Sequence, residues 1–148
     1  MHPTIHEDPI SVLVAVVASF AFSWIWHGPL FGKIWLRLMN FPMDMKPEAK
    51  MMMKSIAIGL VGTLLTAHVL VYSTNIWRPS VWGIGTDESW CMYGLYSGFF
   101  TWLGFYVPML LNTVAWEGRS WKMFGFQAVY HFINLQIIAM IIAYMYAH

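Results

Sequence analysis

The sequence predicts an all-α, polytopic membrane protein with four transmembrane helices in one bundle. Two observations carry this. Of the 148 residues, 59% are hydrophobic, 18% aromatic and only 10% charged, with a mean hydropathy of +0.57. A soluble domain carries about 25% charged residues, so this chain lacks the polar surface to face water on all sides. The second observation is where the charges fall. Seven of the eight Lys and Arg residues lie in two short gaps: Lys33, Arg37, Lys46, Lys50 and Lys54 in one, Arg119 and Lys122 in the other.

Around those gaps run four stretches without Asp, Glu, Lys or Arg: Ile10–Trp26, Ser55–Thr74, Ser89–Trp116 and Met123–Ala147. They place spans at approximately 10–27, 54–74, 89–116 and 122–147 of a single integral membrane domain, 1–148. Each reaches or approaches the roughly 20 residues that cross about 30 Å of hydrocarbon at 1.5 Å per residue. The first reads as an anchor rather than a cleaved signal, because His2, His6, Glu7 and Asp8 precede it without a basic residue. Its helical periodicity breaks at His27-Gly28-Pro29. The second is expected to start at Pro47-Glu48, with Lys46, Lys50 and Lys54 along one face against anionic headgroups or a soluble partner. The third, the longest, should bend at Pro108.

Orientation follows from the loops. The excess of basic residues puts the first and third loops in the cytoplasm. Both termini and the second loop, where Arg78 is offset by Asp87 and Glu88, then lie outside. Tryptophans agree with these boundaries: Trp24, Trp26 and Trp35 close the first span, Trp77, Trp82 and Trp90 mark the outer loop, and Trp116 and Trp121 the second inner loop. These read as interfacial belts, with Trp82 and Trp90 also able to stack on a ligand.

In lipid, helices associate through small residues and interhelical hydrogen bonds. At 100° per residue, Ala15, Ser19 and Ser23 share one strip of span one, and Ser55, Gly59, Gly62, Thr66 and Ser73 one strip of span two. Gly94, Gly98, Thr101, Pro108 and Asn112 share a strip of span three. Span four has two strips, Gln127/His131/Asn134 and, nearly opposite, Gly125/Gln136/Ala143, so it should touch neighbours on both sides or a second subunit.

Polar groups at membrane depth are costly and invite a functional reading. Asn112, Gln127, His131 and Asn134 fit either a hydrogen-bonded clasp between spans three and four or the lining of a ligand cavity. Haem ligation by His68 and His131 would need two histidines at matched depth, whereas these differ by roughly 7 Å in height at 1.5 Å per residue. His2 and His6 with Glu7 and Asp8 are metal-compatible but have no third ligand on fixed backbone, and a solvated leader is the simpler reading. A single cysteine, Cys91, excludes an internal disulfide or a multi-thiolate metal site. The near-zero net charge of +1 argues against nucleic acid as a partner. No P-loop, zinc-protease, Cys-x-x-Cys or nucleophile-elbow motif occurs, and no carboxylate lies within a span.

The first loop opens with Trp26-His27-Gly28-Pro29-Leu30-Phe31-Gly32-Lys33-Ile34-Trp35, and span three and the loop after it contain Trp102-Leu103-Gly104-Phe105, Asn112 and Trp116-Glu117-Gly118-Arg119-Ser120-Trp121. Over nearly its whole length the chain resembles a family of small bacterial four-helix membrane proteins of unknown function, with a W-x-x-P-L-F-G-K-x-W signature after the first helix. The resemblance implies a fold and a membrane location, and no activity. Physically, Trp26, His27, Pro29, Lys33, Trp35 and Arg37 are expected at the interface and headgroups, with Glu117 and Arg119 pairing with Arg37 or Lys33 across the inner surface.

The expected function is therefore a non-catalytic one, as a homo-oligomer or as an accessory or assembly subunit of a larger membrane complex. Lipids, other subunits or itself are the expected partners, and no cofactor is expected. A small-ligand or transport protein with a polar cavity is the first alternative, and a haem- or quinone-associated redox subunit the second.

Overall fold

A computed structural model describes residues 2–148. Helix α1 (Pro9–Ile25) is capped by Asp8, whose carboxylate accepts the backbone N–H groups of Ile10 (3.1 Å) and Ser11 (3.0 Å). Those donors have no partner inside the helix, so the cap fixes its start. α1 passes into a π-helical turn, Trp26–Leu30, that contains Pro29. A proline removes one backbone donor and crowds the carbonyl four residues back, and the wider turn absorbs both. The chain turns at Phe31 into the short α2 (Gly32–Leu38). A Cβ at Gly32 would lie 2.7 Å from the carbonyl oxygen of His27, so this close approach explains the glycine of the first motif.

Next come α3 (Ala49–Asn75), the single turn α4 (Pro79–Trp82), α5 (Trp90–Thr101), a second π-helical turn (Trp102–Tyr106), α6 (Val107–Glu117) and α7 (Trp121–Met145). The four helices long and apolar enough to cross a membrane are Pro9–Leu30, Ala49–Asn75, Trp90–Glu117 and Trp121–Met145. α3 begins two residues beyond Pro47, with Glu48 extended (ψ 136°) as its cap. Lys46 precedes a proline, which disfavours helical backbone. It therefore lies outside α3, and only Lys50 and Lys54 of the expected lysine stripe are helical.

α7 is the hub, packing against α5, α1, α3 and α6. Its two small or polar strips are both used within the chain. On one side, Gly94 and Gly98 of α5 meet it closely: a Cβ at Gly94 would come within 3.1 Å of Ala143 Cβ, and one at Gly98 within 2.9 Å of the Gln136 side chain. On the other, the Asn134 Oδ1 accepts a 2.8 Å hydrogen bond from Ser19 of α1. The apolar core, Val12, Ala15 and Val16 with Ala67, Leu70, Val71, Leu135, Ile138, Ala139 and Ile142, fills the half of the bundle nearer the termini.

At the terminal end the residues before α1 form a strap rather than a solvated leader. Thr4 donates its backbone N–H to the Val81 carbonyl (3.0 Å), the Tyr146 hydroxyl donates to the His6 carbonyl, and Glu7 accepts from the Tyr72 hydroxyl. Arg78 is buried here. Its Nη2 donates to the Ala143 carbonyl (2.8 Å) and its Nη1 to that of Tyr146 (3.4 Å), with Asp87 at 3.7 Å and the Tyr93 ring beneath it. The cation caps the negative end of α7.

The other, basic end is looser. Every residue of α3 from Ala49 to Gly62 is exposed, and Cβ atoms at Gly59 or Gly62 would meet nothing within 4 Å. The small strip of span two therefore faces away from the bundle over this half.

Candidate functional site

At the basic end an aromatic cluster takes over from the aliphatic core. Trp26 is buried against Phe22, Phe31 (centroids 4.5 Å apart), Phe126 and Tyr130. This corrects its expected place in the interfacial belt: the π-helical turn aims the indole inward, onto α7. Its neighbour Trp24, by contrast, is 68% exposed. His27 is half-buried edge-on to Tyr130 (4.6 Å) and Trp35 (5.9 Å), and its Nδ1 lies 3.1 Å from the Ser23 carbonyl. Pro29 and Lys33 are exposed.

Tyr130 joins two histidines, because its other neighbour is His131 at 4.8 Å, which in turn packs on Tyr106 at 4.8 Å. The Tyr130 hydroxyl is 2.5 Å from Ser23 Oγ, and the Tyr106 hydroxyl is 3.3 Å from Thr66 Oγ1. A polar row thus crosses the bundle from α3 to α1 through α7. Of the four residues expected to form a network, Asn134 bonds to Ser19, while Gln127 and His131 make no side-chain hydrogen bond among the described residues. Asn112 is exposed and is not brought to the others. The physical reason is the second π-helical turn: its extra residue rotates everything beyond it by about 100°, so the strip running through Gly94 and Gly98 does not continue to Asn112.

Below this row lie two cavities that share Glu117 and Arg119. The outer one, about 440 Å³, is the mouth, lined by Arg37, Asn40, Glu117, Arg119 and Ser120 among others. Local sequence builds it. Two residues beyond α2, Asn40 takes a left-handed backbone (φ 57°), and α6 is capped by Gly118 in the left-handed region (φ 66°), which disfavours a Cβ. Ser120 then caps α7, accepting the Met123 N–H at 3.2 Å. Glu117 pairs with its near neighbour Arg119 (3.8 Å) rather than with Arg37 or Lys33. Arg37 has no ion-pair partner among the described residues. The inner cavity, about 290 Å³, runs between α6 and α7 past Leu110, Met123 and Phe124 to Gln127 and His131.

The two histidines considered for haem go to different places. His68 is half-exposed and its Nε2 faces Glu7 at 3.5 Å on the terminal side, whereas His131 lines the basic-end cavity, which does not include His68. Among the described residues no group of three or more His, Cys, Asp or Glu is arranged to hold a metal ion. Sequence reasoning missed Arg78. Its signal was a lone arginine beside a proline at the end of a span, where helix carbonyls need donors.

Fold and site together define a multi-pass membrane protein of four apolar helices with internal polar cross-links and a cationic cleft at one end. Residues 10–143 match the family described as Protein of unknown function (DUF1761), and the chain belongs to that family. No curated protein and no solved structure matches it.

Proposed function

We propose that the protein is a non-catalytic component of a bacterial inner membrane, acting as a homo-oligomer or as an accessory subunit of a larger membrane complex, with both termini outside. The observation that carries this reading is α3. Its first half, Ala49–Gly62, is exposed throughout and presents Gly59 and Gly62 with open space beside them among the described residues. Small residues let a second helix approach closely in lipid, where water exclusion supplies no driving force. The internal hydroxyls and Asn134 support the same reading, because Ser19, Ser23, Ser73, Thr74 and Ser97 are engaged in interhelical hydrogen bonds that join helices rather than line a reaction site.

The test is affinity isolation of tagged protein from native membranes in a mild detergent. The expected result is co-isolation of an untagged second copy or of another membrane protein in fixed proportion. A lone monomer recovered under conditions that keep known membrane complexes intact would overturn the proposal.

A further inference from the structure

The cleft at the basic end has the chemistry of a binding site, and we infer that it holds an acidic phospholipid, with the phosphate between Arg37 and Arg119 and an acyl chain along the α6–α7 groove. Three features of the structure support this. The mouth brings together two guanidinium groups from distant parts of the chain with only one carboxylate, Glu117. That carboxylate reaches only Nε of Arg119, at 3.8 Å, which leaves the terminal nitrogens of both arginines for a ligand. Paired guanidinium groups suit a phosphate, which they can grip through parallel charge-assisted hydrogen bonds.

The mouth does not stand alone: beside it, sharing Glu117 and Arg119, lies a second cavity of about 290 Å³ whose walls include Leu110, Met123 and Phe124. An inorganic anion would leave that apolar space unused. About two helical turns below the mouth, the Gln127 amide has no hydrogen-bond partner among the described residues and lines the second cavity. At 1.5 Å per residue it lies roughly 10 Å along α7 from Ser120, beneath the phosphate, where the ester carbonyls of a glycerophospholipid accept hydrogen bonds. A headgroup, an ester layer and a chain thus meet cationic, amide and apolar surfaces in that order.

The experiment uses the full chain in a neutral detergent, titrated with dioleoylphosphatidylglycerol, with dioleoylphosphatidylcholine and with inorganic phosphate, and followed by native mass spectrometry. The expected result is a preference for phosphatidylglycerol over phosphatidylcholine of about tenfold or more, which the double variant R37Q/R119Q abolishes. K33Q, on an exposed α2 position outside the cavity, should keep the preference. Gln127→Leu should weaken phosphatidylglycerol binding several-fold with the protein still folded. Equal binding of the two lipids, or a preference that survives R37Q/R119Q, would overturn the inference. Inorganic phosphate binding as tightly as phosphatidylglycerol would overturn its lipid part and leave a plain anion site.

Discussion

Gly94→Ala tests the α5–α7 contact that organises the bundle. A methyl group there would sit 3.1 Å from Ala143 Cβ and 3.2 Å from Met140 Cα, neither of which can move without shifting α7, and 2.8 Å from the flexible Met140 sulfur. Overpacking of this kind costs about 1–3 kcal/mol. Replacing a helical glycine returns about 0.5–1 kcal/mol of conformational entropy, so the net loss should be about 0–2.5 kcal/mol, and the loss relative to Gly125→Ala, where that gain cancels, about 1–3 kcal/mol. The nearest atoms to a methyl group in Gly98→Ala belong to the Gln136 side chain, at 2.9 Å, which can swing away at the loss of its 3.3 Å bond to the Leu95 carbonyl. Such a bond averages about 0.6 kcal/mol, so this change should be nearly neutral. Gly125→Ala, with nothing within 4 Å, should be neutral or slightly stabilising. Reversible unfolding in mixed micelles would rank the three. A Gly94→Ala protein as stable as Gly125→Ala would refute the packing described for α5 and α7.

Three further outcomes follow from other contacts. Arg78→Met should cost about 2–3 kcal/mol, because it removes charged hydrogen bonds to the last carbonyls of α7, and Arg78→Lys should recover only part of this in the same unfolding assay. A double-mutant cycle on Ser19 and Asn134 should give a coupling of about 0.6 kcal/mol, and a value above about 2 would show more than a simple interhelical bond. In intact cells an impermeant maleimide should label Thr4→Cys and leave Asp44→Cys untouched, both in a Cys91→Ser background; the reverse pattern would invert the proposed orientation.

Much of the fold was legible in charge and size patterns. Spans can be read because lipid forbids charge over a fixed length, and Gly94 and Gly98 because close helix contact in lipid needs small residues. The meeting of Arg37 with Glu117 and Arg119 was also legible, since both basic loops must lie at one end, although the ion pair formed locally between Glu117 and Arg119. What failed were the placing of Trp26 by its position at the end of a span and the strip carried to Asn112 by a regular 100° step. Trp26 turned inward and Asn112 was lost from its strip because each lies in or beyond a π-helical turn, whose extra residue no periodicity count anticipates. The role of Arg78 and the terminal strap depended on tertiary contacts far apart in sequence, Arg78 to Ala143 and Thr4 to Val81. Local pattern cannot register such contacts.

Disulfide cross-linking of Gly59→Cys in native membranes, again with Cys91→Ser, tests the central claim most directly. If the open half of α3 receives another helix, oxidation should convert the chain into a covalent homodimer at twice its 17.1 kDa mass or, with a partner carrying a nearby thiol, into a heavier adduct. A covalent adduct from Gly59→Cys and none from Leu103→Cys on the exposed π-helical turn is the predicted pattern. Monomer alone, with Gly59→Cys fully reactive toward a lipid-soluble maleimide, would contradict it and leave α3 facing lipid only.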